Sequence, residues 1–128
     1  MLYKTRGYNA MIKVIIAGGR DYINLDNMEE VFLANFSKYT NDEVAIVSGM
    51  AQGADITGVA LANQYNLVIH QYPALWHVYG RSAGYKRNVQ MAENATHLLA
   101  FWDGVSKGTE HMINIARRMG LKTIIVKY

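Results

Sequence analysis

Hydrophobic residues in this chain fall into two patterns that alternate from one end to the other. Five short runs rich in β-branched residues recur, at residues 12–17, 44–47, 67–72, 97–102 and 122–126. Three of them, IKVIIA, EVAIV and KTIIV, are nearly continuous apolar runs, which suits strands covered on both faces, the habit of parallel sheets. Between the runs lie stretches with helical spacing: Leu25, Met28, Phe32 and Phe36; Ile56, Val59 and Ala60; Tyr85, Val89 and Ala92; then Met112, Ile115, Ala116 and Met119. The last stretch stops at Gly120, with Arg117 and Arg118 near the negative end of the helix dipole.

Strand and helix therefore alternate, and with right-handed crossovers this predicts one Rossmann-like α/β domain, a three-layer sandwich of about five parallel strands with flanking helices. The domain is expected to span residues 11–128. Residues 1–10, with Tyr3, Lys4, Arg6 and Tyr8 in no periodic pattern, are expected to form a mobile N-terminal extension.

Composition narrows the function. The chain has 128 residues, 51% hydrophobic and 18% charged, so it reads as globular rather than disordered. No apolar run approaches the roughly 20 residues needed to span a bilayer, and the first residues lack a signal-peptide pattern. A cytoplasmic protein without membrane partners is the expectation. With no cysteine, disulfides, thiolate metal sites and cysteine nucleophiles are excluded. The net charge of +3 comes from scattered basic residues, which fits an anionic small molecule better than a long duplex.

In an open parallel sheet, ligands bind beyond the C-terminal ends of the strands, and three of the five strand exits are rich in glycine and small polar residues. These are Gly18-Gly19-Arg20-Asp21, the stretch from Ser48 and Gly49 to Gly53, Ala54 and Asp55, and the stretch from Trp102 and Asp103 to Ser106, Gly108 and Thr109. Glycines let backbone N–H groups approach an anion, and a helix starting just after adds unpaired donors. Each loop is a potential phosphate cradle or simply a tight turn. None matches the P-loop or dinucleotide fingerprint, which disfavours a P-loop ATPase and a standard NAD dehydrogenase.

Single residues carry two readings each. Arg20 can fork onto a phosphate or stand in solvent; Asp21 can cap the next turn or pair with Arg20. Asp55 can complement the helix dipole or hold a sugar hydroxyl. Arg81 and Arg87 can neutralise a phosphate from two sides, with Lys86 and Asn88 in the same helical turns, or form a solvated face. Trp76 and Trp102 read first as packing residues, with base stacking the alternative. Ser48 and Ser106 sit in no nucleophile elbow and are expected to donate to phosphate. His70, His77, His97 and His111 share no ligand spacing, so neither metal nor resident cofactor is expected.

The segments GGRD, SGMAQGAD, PALW, YGRSAGYKRN and FWDGVSKGT, in this order over residues 18–109, resemble the YspA-type, cpYpsA-related branch of the SLOG superfamily, frequent in bacteria and their phages. The resemblance implies a Rossmann-like fold, a pocket for a nucleotide or nucleotide-derived ligand, and a homodimer. The superfamily also includes phosphoribohydrolases of the lonely-guy type. Arg87 matches their arginine, and Gly108 and Thr109 their Gly-Thr pair, but Met112 stands where they carry glutamate and Trp102-Asp103-Gly104 replaces their proline-led glycines. The nearest acid is Glu110. If the chain is an enzyme, the expected reaction is N-glycosidic cleavage with Arg87 and Glu110 as catalytic residues, and Asp103 or Asp55 as substitutes. The missing glutamate favours binding or sensing over catalysis. Single-stranded nucleic-acid binding, as in DNA-processing relatives, is disfavoured by the modest charge.

Overall fold

Two of the three continuous apolar runs, IKVIIA and EVAIV, form inner strands covered on both faces, whereas KTIIV forms a half-buried edge strand, contrary to the expectation for it. A computed structural model describes residues 10–128; the expected extension, apart from Ala10, lies outside the described residues. The sheet contains β1 (Ile12–Gly18), β2 (Val44–Ser48), β3 (Val68–Gln71), β4 (His97–Trp102) and β5 (Lys122–Lys127). All neighbours pair in parallel, in the order β3-β2-β1-β4-β5. The fold is thus the α/β sandwich expected from the alternation.

Alternation along β1 divides the core into two layers. Val14 and Ile16 point to one face with Ile46, Leu99 and Phe101, where α1 (Leu25–Phe36) contributes Met28, Phe32 and Phe36 and α2 (Ala54–Gln64) contributes Leu61 and Ala62. Ile15 and Ala17 point to the other face with Val47, Leu98 and Ala100. There α4 (Ala83–Glu93) brings Met91 and Ala92, and α5 (Lys107–Arg118) brings Met112, Ile113 and Ala116. Each fully buried aliphatic side chain contributes roughly 1.5–3 kcal/mol, so these layers fix the scaffold on which the loops sit. A short α3 (Trp76–Tyr79) and a 3-10 turn (Gly80–Ser82) link β3 to α4. No helix among the described residues is long and apolar enough to cross a membrane.

Some local expectations are corrected. Ile56, Val59 and Ala60 do not form the inward face of α2: Ile56 is 44% exposed, and the buried positions include Gly58, Leu61 and Ala62. The reason is closeness. A Cβ on Gly58 would lie 2.9 Å from Ile16, so the helix can approach β1 only along its smallest side chains. On α4, Tyr85 is exposed while Ala83, Asn88, Met91 and Ala92 are buried. The third strand is shorter than expected, because the Leu67 N–H closes back on the Ala62 carbonyl at the end of α2.

Candidate functional site

Strand order places a topological switch point at β1, whose chain continuation goes to β2 on one side while β4 lies on the other. Crevices form at such points beyond the carboxyl ends of the strands. There the structure has a cleft of about 540 Å³. Its wall is drawn from the exits of β1, β2, β3 and β4 and from the first turns of α4 and α5.

The structure brings nine of the expected residues to this wall: Gly18, Arg20, Asp55, Arg81, Arg87, Asn88, Ser106, Gly108 and Thr109. The first loop is shaped by close approach. A Cβ on Gly18 would sit 2.2 Å from the Phe101 carbonyl oxygen, so only glycine lets β1 pass β4 here. The guanidinium groups of Arg20 and Arg81 bond to no other described residue and are exposed.

Arg87 is anchored instead. Its Nη1 donates to the Gly49 carbonyl at 2.6 Å and its Nε to Asn88 Oδ1 at 3.1 Å. Asn88 in turn reaches across to α5, its amide donating to the Gly108 carbonyl at 3.4 Å and contacting His111 Nδ1 at 3.1 Å. As the Asn88 amide nitrogen is a donor, His111 Nδ1 serves there as acceptor. The imidazole packs against Tyr85, 4.4 Å between ring centres, and burial holds its pKa below the ordinary value.

The start of α5 leaves backbone donors open toward the cleft. Asp103 Oδ1 accepts the N–H groups of Val105 and Ser106, both at 2.8 Å, and these bonds hold its carboxyl below the usual range. Ser106, the N-cap, directs its hydroxyl to Thr109 at 3.2 Å rather than to a backbone N–H. The N–H groups of Lys107, Gly108 and Thr109 consequently find no acceptor among the described residues. Open donors at the positive end of a 12-residue helix suit a phosphate or carboxylate.

Asp55 differs from the rest of the wall. Its side chain is buried, 5% exposed, and burial pushes its pKa up to about 6 against the opposing pull of Arg87 and a hydrogen bond from the Ala51 N–H, 3.2 Å to Oδ2. The same burial lowers the Arg87 pKa, with Asp55 opposing. A carboxylate with so high a pKa in a cleft is a functional-site signature.

The other expected residues stand behind the wall. Gly19 donates its N–H to Phe101 and accepts from Tyr22 and Ala54, tying the first loop to α2. Asp21 accepts from the Tyr128 hydroxyl at 2.5 Å. Ser48 is fully buried; its hydroxyl accepts from Met50 at 3.1 Å within the turn. Gly49 and Gly53 let Arg87 and the first loop approach, and Ala54 is buried beneath. Trp102 donates its indole N–H to the Ser106 carbonyl at 3.1 Å, with Lys127 over its ring, so it packs the loop. Glu110 lies 4.0 Å from Lys107 and does not line the cleft. Of the acids weighed for glycosidic chemistry, Asp55 is the one in the wall.

Sequence reasoning did not select Ala51, Gln52, Ala74, Gly84, Tyr85, Met91 or Met112, and it set Trp76 aside as a packing residue, yet all line the cleft. Trp76 is 55% exposed, its ring lying against Gly84, where a Cβ would sit 3.3 Å away. The available signal was Gly84, eight residues after Trp76, a small residue that leaves room for its ring. Comparison with known proteins gives no match: no family model fits the chain, and neither a curated protein nor a solved structure is found to be similar to it.

Proposed function

We propose that the chain binds a nucleotide or nucleotide-derived ligand in this cleft, as its resemblance to SLOG proteins implies. The ligand's phosphate lies at the N-terminus of α5 and its base against Trp76 and Tyr85. The observation that carries this reading is the convergence of three arginines, Arg20, Arg81 and Arg87, with the open N–H groups of α5 at the switch point. Three guanidinium groups against one carboxylate make an anion site, and the exposed aromatic faces give a planar group somewhere to stack. A cleft of this volume has room for a small ligand, in the usual range of roughly 300–1,000 Å³.

Calorimetry against a panel of nucleoside phosphates, ADP-ribose and cyclic dinucleotides tests this. Binding of at least one member is expected. Arg20→Ala and Arg81→Ala should each weaken it about 10-fold or more, as befits a charge-assisted hydrogen bond. Both side chains are exposed and unbonded among the described residues, so stability should stay within about 0.5 kcal/mol. Silence across the panel from folded protein defeats the reading. Affinity for single-stranded nucleic acid that falls steeply with salt would replace it.

A further inference from the structure

Asn88 is a buried polar side chain, 6% exposed, and two of its partners fix which way its amide faces. Arg87 Nε–H can only donate, so the atom 3.1 Å from it is the Asn88 amide oxygen. The Gly108 carbonyl can only accept, so the atom 3.4 Å from it is the amide nitrogen. Turning the amide over would set donor against donor at Arg87 and acceptor against acceptor at Gly108. The second hydrogen on the amide nitrogen is left for His111 Nδ1 at 3.1 Å, and that ring nitrogen has to offer a lone pair. The neutral imidazole then carries its proton on Nε2.

His111 is thereby one end of a chain of bonds that runs into the cleft. It fixes the Asn88 amide, the amide oxygen fixes Arg87 Nε, and Arg87 Nη1 reaches the Gly49 carbonyl at 2.6 Å. Arg87, Asn88 and Gly108 line the cleft, whereas His111 stands behind it with its ring against Tyr85. Little around the imidazole favours a second proton. From α4 it faces the Tyr85 ring and Asn88, with Arg87 beyond the amide, and from its own helix the charged neighbour is Arg118. No carboxylate bonds to it among the described residues. A proton on Nδ1 would put two donors face to face where a buried amide has no ready replacement, so the contact breaks or the amide turns and gives up both Arg87 and Gly108.

We infer that His111 is a positioning residue, which as a neutral imidazole acts through Asn88 to hold the Arg87 guanidinium in the cleft wall. Arg20 and Arg81 bond to no other described residue, but Arg87 meets a ligand in a direction set beforehand, which lowers the ordering cost of binding. The inference goes beyond the nucleotide reading, since these bonds form without a ligand.

NMR of the nitrogen-labelled full chain, without ligand, tests this. At pH 7.5 the His111 ring should show a proton on Nε2 and a bare Nδ1. The Arg87 Nε–H should exchange with water about 10-fold or more slowly than those of Arg20 and Arg81. His111→Asn, which sets a carboxamide oxygen near the Nδ1 position, should keep the slow exchange, and His111→Leu, which keeps bulk without an acceptor, should lose most of it. With Asp55→Asn as background, so that the carboxyl beside Arg87 no longer titrates, acidification should move the Arg87 Nε signal in step with the His111 ring. Adding His111→Asn should abolish that movement. A proton on Nδ1 at pH 7.5 overturns the inference, and so does an Arg87 signal indifferent to the His111 titration. These two measurements decide even where the leucine variant fails to fold. In calorimetry, a nucleotide that binds the full chain should bind His111→Leu about 3- to 10-fold more weakly and His111→Asn about as well as the parent. Silence of the whole nucleotide panel defeats the nucleotide reading alone, with the spectra still deciding the role of His111.

Discussion

Replacing Gly53 with alanine destabilises the fold by on the order of 4 kcal/mol. Gly53 has φ +90° and ψ −125° at the start of α2, a backbone region that side chains rarely enter. A Cβ there would lie 2.3 Å from the Gly19 carbonyl oxygen and 2.5 Å from Arg20 backbone atoms. Neither group can swing aside as a side chain would, since the Gly19 carbonyl already accepts from Tyr22 and Ala54. Strain and overlap therefore add, and the loop that presents Arg20 must move. Gly108→Ala is the control, because a Cβ there meets nothing within 4 Å. Its stability should stay within about 0.5 kcal/mol of the parent. Urea unfolding of both variants decides the matter, and a Gly53→Ala midpoint close to the parent's would show that the two loops are not in contact as described.

Asp55→Asn stabilises the protein at neutral pH by about 1–3 kcal/mol. The folded pKa of about 6 lies above the ordinary 3.8, so between these values the folded chain holds a proton that the unfolded chain releases. Below about pH 4 the carboxyl is neutral in both states and burial costs nothing in charge; above about pH 6 the full penalty is present, up to about 3 kcal/mol. The asparagine removes that penalty while preserving size. Unfolding free energies measured from pH 4 to pH 8 should show the variant's advantage growing through pH 4–6 and level above it. An asparagine variant less stable than the parent at pH 7.5 would mean that Arg87 compensates the charge fully. A gain in stability on neutralising a buried carboxylate in a cleft is the usual exchange between a site and its core.

The scaffold was legible because burial on two faces leaves a plain trace. IKVIIA and EVAIV have few polar residues and lie in the sheet centre, whereas KTIIV, flanked by lysines, is an edge strand with half-buried positions. Periodicity failed on α2 because the face that approaches the sheet most closely carries Gly58, Ala62 and Thr57, residues that hydrophobic spacing does not register. The site was legible as loops rather than as roles. Glycine-rich exits mark where backbones crowd together, but the sequence does not say whether an N–H is left open at the cleft, as at Gly108, or is taken by a neighbouring strand, as at Gly19. Asp103 and Asp55 looked alike as strand-exit acids; one caps a turn and the other is buried in the wall. The 76–82 segment was the least readable, since it is exposed throughout and no buried stripe betrays its short helix.

The bond from Tyr128 to Asp21 spans 107 residues, and the Tyr128 ring also lies edge-on to Tyr22, 5.1 Å between centres. The loop that carries Arg20 is thus braced by the residue after β5. The cleft rim at Arg20 therefore depends on a strand more than 100 residues away in sequence, so that cutting this bond loosens one wall of the cleft without touching the sheet.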